Sequence, residues 1–228
     1  MNEILWVLML IVNFSLITFS YRVWGKTGLY VWVAIATIIA NIQVIKTVSI
    51  FGMVATLGNI VYATSFLATD ILSENHGKRE ATQAVYIGFF ALISTTLIMQ
   101  LALGFIPDKS DFAQYPLSVI FGILPRVAVA SLAAYWCSQL HDVWAYEFWK
   151  KRFPSKKHIW IRNNASTIVS QFIDTTVFTA IAFTGVFPTN VWWQIFWSTY
   201  ALKWIVAVCD TPFIYLARYL KDRGNVPV

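Results

Sequence analysis

Apolar residues in this chain run in long blocks separated by short polar connections. A helix that crosses a bilayer needs about 20 mainly apolar residues. Seven blocks qualify, at 4–20, 28–50, 53–73, 82–106, 116–149, 163–187 and 191–219. The expected fold is all-α, a polytopic membrane helix bundle forming one transmembrane domain over residues 1–228. The connection at 47–53 is the tightest, and merging the blocks there lowers the count to six spans. The first block is not expected to be a cleaved signal: Met1-Asn2-Glu3 lacks a positive start, and no small-x-small site follows.

Composition agrees with the pattern. Hydrophobic residues make up 58% and charged residues only 12%, against roughly 25% charged in soluble domains. That excludes a disordered chain and argues against a soluble enzyme. Cys137 and Cys209 fall inside apolar blocks and read as buried small residues, with no Cys/His cluster at metal spacing.

Basic residues collect on the cytoplasmic side of membrane proteins. Thirteen of the 17 lie in alternate connections or at the chain end: Arg22, Lys26, Lys78, Arg79, Lys150, Lys151, Arg152, Lys156, Lys157, Arg162, Arg218, Lys221 and Arg223. Lys46, Arg126 and Lys203 fall within blocks, and Lys109 alone takes the opposite side. Seven spans with the N-terminus outside and the C-terminus in the cytoplasm reproduce this distribution. The net charge of +6 thus implies a lipid-bilayer partner with anionic headgroups and no nucleic acid.

Polar groups inside the blocks carry the functional signal, because an ionised side chain at mid-bilayer costs about 3 kcal/mol on insertion scales. Helical spacing places Asn59, Tyr62, Phe66, Asp70 and Glu74 on one stripe of the third block. The fifth carries Tyr135, Gln139, Asp142 and Tyr146, with Arg126 on another part of the same helix. In the sixth, Asn163, Thr167, Gln171, Asp174 and Phe178 align, and in the seventh Lys203 and Asp210 share a face. Helix-to-helix bonds account for some of these groups, notably Asn41, Thr64, Ser131 and Thr167. Arg126 with Asp174 makes a structural ion pair on the same bland reading, and Asp70 and Glu74 cap a cytoplasmic end. Four stripes exceed what such bonds require, which argues for a shared polar cavity. Carboxylates, amides and flat aromatic faces together suit a planar heterocycle with N–H donors. Tyr62, Phe66, Tyr135 and Trp136 are the stacking candidates. No cofactor is implied.

The string Gly58-Asn59-Ile60-Val61-Tyr62-Ala63-Thr64-Ser65-Phe66-Leu67-Ala68-Thr69-Asp70-Ile71-Leu72-Ser73-Glu74-Asn75-His76-Gly77-Lys78 resembles the signature of the queuosine precursor transporter family, the vitamin-uptake-like family. Arg126 to Ser131, Ser138-Gln139-Leu140-His141-Asp142, and Arg162 to Ser166 with Gln171 and Asp174 resemble it too. That resemblance implies import of 7-deazaguanines such as preQ0, preQ1 or queuine across the bacterial inner membrane, in a fold usually described with six spans. It implies that Asp70 and Glu74 accept the ligand edge or gate its path. Gln139, Asp142, Asn163, Gln171 and Asp174 follow, then Asn59 and Asp210, while Arg126 orients a carboxylate. Whether protons drive the import stays open, as does a homodimer.

Two other readings stand beside it. One is the substrate-binding component of an energy-coupling-factor vitamin transporter, for which Ala36 and Ala40 make a small-xxx-small docking pair. The other is a lipid-acting membrane enzyme with His141 and Asp142 as its acid–base pair. No nucleophile, metal constellation or nucleotide-binding motif supports catalysis.

Overall fold

The computed structural model describes residues 1–185 and 188–227; the expected end of the sixth block, at 187, lies outside them. Among the described residues, seven helices and one small hairpin follow in the order α1 (Asn2–Gln43), β1 (Thr47–Ile50), β2 (Met53–Thr56), α2 (Asn59–Asn75), α3 (Lys78–Leu103), α4 (Gln114–Gly122), α5 (Leu124–Arg152), α6 (Ile159–Phe183) and α7 (Thr189–Asp222). A short 3-10 turn at Lys156–His158 leads into α6.

α1 is two limbs. Gly25 leaves the helical region at φ 57° and ψ −139°, a conformation that residues with a Cβ avoid. Ser20 Oγ then donates to the Gly28 carbonyl at 3.0 Å. In a straight helix, residues eight apart are separated by about 12 Å, so the chain doubles back here. Asn2 Nδ2 accordingly reaches the Ser49 carbonyl, 47 residues later, at 3.0 Å. The first two expected blocks are therefore the limbs of one element, and the second ends at Gln43 rather than at 50.

The hairpin departs from the expected pattern. Thr47 pairs with Thr56 and Ile50 with Met53, closed by the two-residue turn Phe51-Gly52. The expected helical ends at 50 and 53 give way because β-branched Thr47, Val48 and Ile50 flank a two-residue turn, a hairpin signal that a count of apolar residues overrides. Lys46, assigned from sequence to a span, is an exposed residue between α1 and this hairpin. The expected fifth block also divides, into α4 and α5, with Pro125 in the first turn of α5.

Among the described residues, five helical segments are long and apolar enough to cross a membrane: Asn2–Gln43, Lys78–Leu103, Gln114–Arg152, Lys156–Phe183 and Thr189–Asp222. α2, at 17 residues, is shorter and differs in character. Of its residues only Tyr62 is less than buried. The molecule is inside-out by soluble standards: Leu8, Ile11, Phe90, Ile98 and Leu101 face outward, while Asp70, Gln139, Asp142, Asn163, Gln171 and Asp210 are buried. Outward apolar area on this scale marks contact with lipid. The chain is a multi-pass, all-α membrane bundle. α2 lies at its centre against α1, α3, α5 and α7, and α5 packs along α6.

Candidate functional site

Three tiers of polar groups run along α2. The first borders a narrow cavity of about 40 Å³, smaller than the roughly 300–1,000 Å³ of sites that hold a small molecule. Its wall comes from the end of α1, the β2–α2 turn, α2, α5, α6 and α7. Gly58 makes this packing possible. It opens α2 at φ 92°, and a Cβ there would stand 2.7 Å from the Ala40 carbonyl oxygen, far inside contact distance. The floor is built on Asp174. Tyr62 donates its hydroxyl to Asp174 Oδ1 at 2.6 Å, Ser138 donates to the same oxygen at 3.2 Å, and Lys203 pairs with Oδ2. Lys203 Nζ also lies 4.9 Å from the Tyr62 ring centre. Asn41, Asn59, Ser131, Phe178 and Thr199 complete the polar and aromatic wall. Ser131 Oγ donates to Asn41 Oδ1 at 2.7 Å, whereas the buried Thr199 hydroxyl has no partner.

Tyr62 packs edge-on against Phe66 and Tyr135, with ring centres 5.7 and 5.8 Å apart. Below it, Gln139 Nε2 donates to Ser65 Oγ at 3.2 Å and Thr69 Oγ1 donates to Gln139 Oε1 at 3.3 Å. In the second tier Thr167 donates to Asp70 Oδ2 at 3.2 Å and Asn163 Nδ2 to Asp210 Oδ1 at 2.7 Å. Neither Asp142 oxygen has a partner in hydrogen-bonding geometry, and Gln171 is fully buried with both amide atoms unpartnered.

The third tier closes the far end. Glu74 receives Arg162 at 3.3 Å, Arg218 at 3.7 Å and the Tyr146 hydroxyl at 3.4 Å. Lys150 Nζ donates to the Ser73 carbonyl at 2.5 Å. Arg162 is 1% exposed, and because guanidinium keeps its charge, burying it demands this carboxylate. Beyond this end, the pKa of His76, in the α2–α3 connection, is held down at about 4, first by burial and then by Lys221 and Lys26.

Of the residues singled out from sequence, Asn59, Tyr62 and Asp174 border the cavity. Phe66, Asp70, Glu74, Tyr135, Gln139, Asp142, Asn163, Gln171 and Asp210 are buried in the same interior along α2 and the facing helices. Arg126 is apart from them. It is exposed and donates to the carbonyls of Ile181, at 3.1 Å, and Thr184, at 2.7 Å, so it binds a helix end instead of a carboxylate. Trp136 is 49% exposed and stacks on Phe89, outside the cavity. Cys137 and Cys209 are exposed on outward faces rather than buried, and both are free. His141 bonds Ser170 at 2.9 Å while its neighbour Asp142 points inward, so the two make no acid–base pair. Sequence reasoning misses Arg162 as an interior residue because it reads as part of a basic connection. Its position directly before Asn163, at the start of the α6 polar stripe, is the one local sign of it. Lys203 is legible as intramembrane, but its partner 29 residues away is not.

Comparison with known proteins agrees with this architecture. Residues 56–217 match the family model described as "Putative vitamin uptake transporter". A Bacillus subtilis (strain 168) protein named "Probable queuosine precursor transporter" is 46% identical over 217 residues, covering 95% of each chain. A Haemophilus influenzae (strain Rd) protein of the same name is 26% identical over 162 residues, covering 69% of this chain and 66% of its own. No solved structure matches the chain. A family match across most of the helical bundle, with 46% identity over nearly the whole chain to a protein so named, places this chain in the queuosine precursor transporter family, the vitamin-uptake-like transporters, which are not enzymes.

Proposed function

We propose that this protein imports 7-deazaguanine precursors of queuosine, such as preQ0, preQ1 or queuine, across the bacterial inner membrane, and that the cavity above Asp174 widens to bind them. The observation that carries this reading is a buried carboxylate held by Tyr62 and Lys203 at the floor of an amide- and aromatic-walled cavity. A guanine-like ring offers N–H donors along one edge and an apolar face. Asn59, the Thr199 hydroxyl and Asp174 meet the edge, and Tyr62 and Phe178 meet the face. Phe66, Tyr135, Gln139 and Gln171 shape the space beneath. Glu74, with Arg162 and Arg218, closes the route at the other end, so the geometry corresponds to a state open toward the hairpin.

The same reading orients the molecule. Counting both limbs of α1 and the buried α2, the chain passes seven times, with the N-terminus and hairpin outside and Lys150, Lys151, Arg152, Lys156 and Lys157 in the cytoplasm. Gly25, Gly58 and Pro212, which lies inside α7, are places where segments can swing when the Glu74 end opens.

The test is uptake of labelled preQ1 or queuine, with queuosine content of tRNA, in cells that cannot make the precursor. Wild type restores queuosine, and Asp174→Asn, inserted at normal levels, loses it. Normal uptake by that variant places the substrate elsewhere. No uptake of any precursor by inserted wild type refutes the function.

A further inference from the structure

Three buried carboxylates play no part in the binding of substrate described above. Asp70 on α2, Asp142 on α5 and Asp210 on α7 are at most 1% exposed and lie within electrostatic reach of one another. The cations that face this interior are committed elsewhere: Lys203 to Asp174, and Arg162 and Arg218 to Glu74. Among the described residues, no cation pairs with any of the three. Of the other titratable groups, Tyr146 bonds Glu74, Tyr62 bonds Asp174, His141 turns to Ser170 and Cys209 faces outward, while the buried Tyr135 hydroxyl on α5 is unpartnered.

Bare carboxylates in a dry interior are costly, and such groups shed the charge by taking a proton. The bonding says where. Asp210 has Asn163 and Asp70 has Thr167, but neither oxygen of Asp142 receives a bond. The hydroxyls of Ser166, Thr167 and Ser170, which neighbour it, donate to the Asn163 carbonyl, to Asp70 and to the Ser166 carbonyl instead. Its neighbour across the helix contact is Asp70, itself an acceptor, so a bond between the two exists only with a proton between them. An independent sign lies one turn toward the cavity from Thr167. Gln171 shares the α6 face of Asn163, Thr167 and Asp174, is fully buried, and has its donor and acceptor both unpartnered. Its amide offers one donor and one acceptor with which to hold a water beside the carboxylates. The polar steps Asp174–Ser138 and Ser65–Gln139–Thr69 run from the cavity floor toward the same tier.

We infer that Asp70, Asp142 and Asp210 form a proton-binding site between the substrate cavity and the Glu74 end, loaded from the cavity side and discharged on the other, so that proton entry drives import. This rests on the transport reading above. The step is protonation of a carboxylate oxygen on one side and its reversal on the other, with no redox change. A gradient of one pH unit then supports about tenfold accumulation per proton.

Two measurements test it. In purified wild type at neutral pH, the infrared C=O band of protonated carboxyl groups is present, and Asp142→Asn or Asp70→Asn reduces it. Absence of that band, or its survival in both variants, overturns the inference whatever the transport result. In proteoliposomes, an inward proton gradient drives wild-type accumulation of labelled preQ1, and a protonophore abolishes it. Asp142→Asn and Asp210→Asn lose the gradient response while exchange of labelled for unlabelled substrate at equal pH persists. Wild-type exchange with no response to the gradient overturns proton drive and leaves the transporter standing. No exchange of any deazapurine, with the carboxyl band intact, refutes the substrate assignment and retains the proton site.

Discussion

Two buried acids, one at each end of the polar interior, differ in what surrounds them. Asp174 sits under a cavity and receives one lysine, one phenol and one serine hydroxyl. Glu74 is closed over by Arg162, Arg218 and Tyr146, with Lys150 on the neighbouring backbone. The first arrangement sets the carboxylate on the wall of a narrow cavity, where a ligand can share it once the cavity widens. The second surrounds the carboxylate with its own partners and ties α2 to α5, α6 and α7 at once. The two ends also fail differently. Removing Lys203 strands a carboxylate, which can neutralise itself by taking a proton. Removing Glu74 strands Arg162, which cannot lose its charge.

That asymmetry makes Glu74→Gln the most damaging change. It leaves a buried guanidinium unpaired and costs about 3–5 kcal/mol; thermal unfolding in detergent should show a loss well beyond that of Lys203→Met or Gly58→Ala. Equal stability to wild type would mean that Arg162 has another route to water, and the closed end would lose its meaning. Lys203→Met should unfold at a temperature between that variant and wild type, yet abolish uptake as completely as Asp174→Asn. Preserved uptake would detach the Lys203–Asp174 pair from the substrate.

Gly58→Ala probes the same contrast from the backbone side. A Cβ would meet the Ala40 carbonyl in a left-handed conformation, which costs about 1–3 kcal/mol. The entrance should shift with it, weakening substrate affinity while leaving the Glu74 cluster intact. An unchanged affinity in a folded variant would show that the wall near Ala40 does not meet substrate. Trp136→Phe, on the outward face, should alter neither stability nor uptake measurably.

The mildest response is to pH, at the Glu74 end. Burial, Lys221 and Lys26 hold the pKa of His76 at about 4, below its ordinary 6.5. A base whose folded value lies below its unfolded value is neutral in the fold, so stability is full above about 6.5 and declines as pH falls toward about 4. The melting temperature of His76→Asn should decline less than that of wild type across that window. Parallel curves for the two proteins would remove His76 from the pH response.

Local periodicity makes much of this molecule readable. The stripes on α2, α5 and α6 are legible because helical spacing alone puts Asp70 beside Phe66 and Asp174 beside Gln171, and all of these side chains do turn inward. The membrane class is legible because apolar length and scarce charge are properties of composition. Three things escape. The hairpin at Thr47–Thr56 is hidden inside two apolar blocks, since a count of apolar residues cannot separate β-branched strand from helix. The reversal at Gly25 depends on a close approach between Ser20 and Gly28 that nothing in the local spacing announces. The guanidinium fork of Arg126 suggests a carboxylate partner, although two carbonyls at the end of α6 satisfy it.

The order of residues alone is enough to make this chain a membrane-embedded helix bundle with polar faces turned away from lipid, because the bilayer rejects exposed charge and helix geometry sorts residues by spacing. Which charges meet is a matter of packing. Tyr62 and Asp174 are 112 residues apart, and Arg162 lies 88 from Glu74. Lys203 could serve Asp210 on its own helix but serves Asp174 on the next. Ion pairing depends on distance and on burial together, and neither exists until the helices have packed.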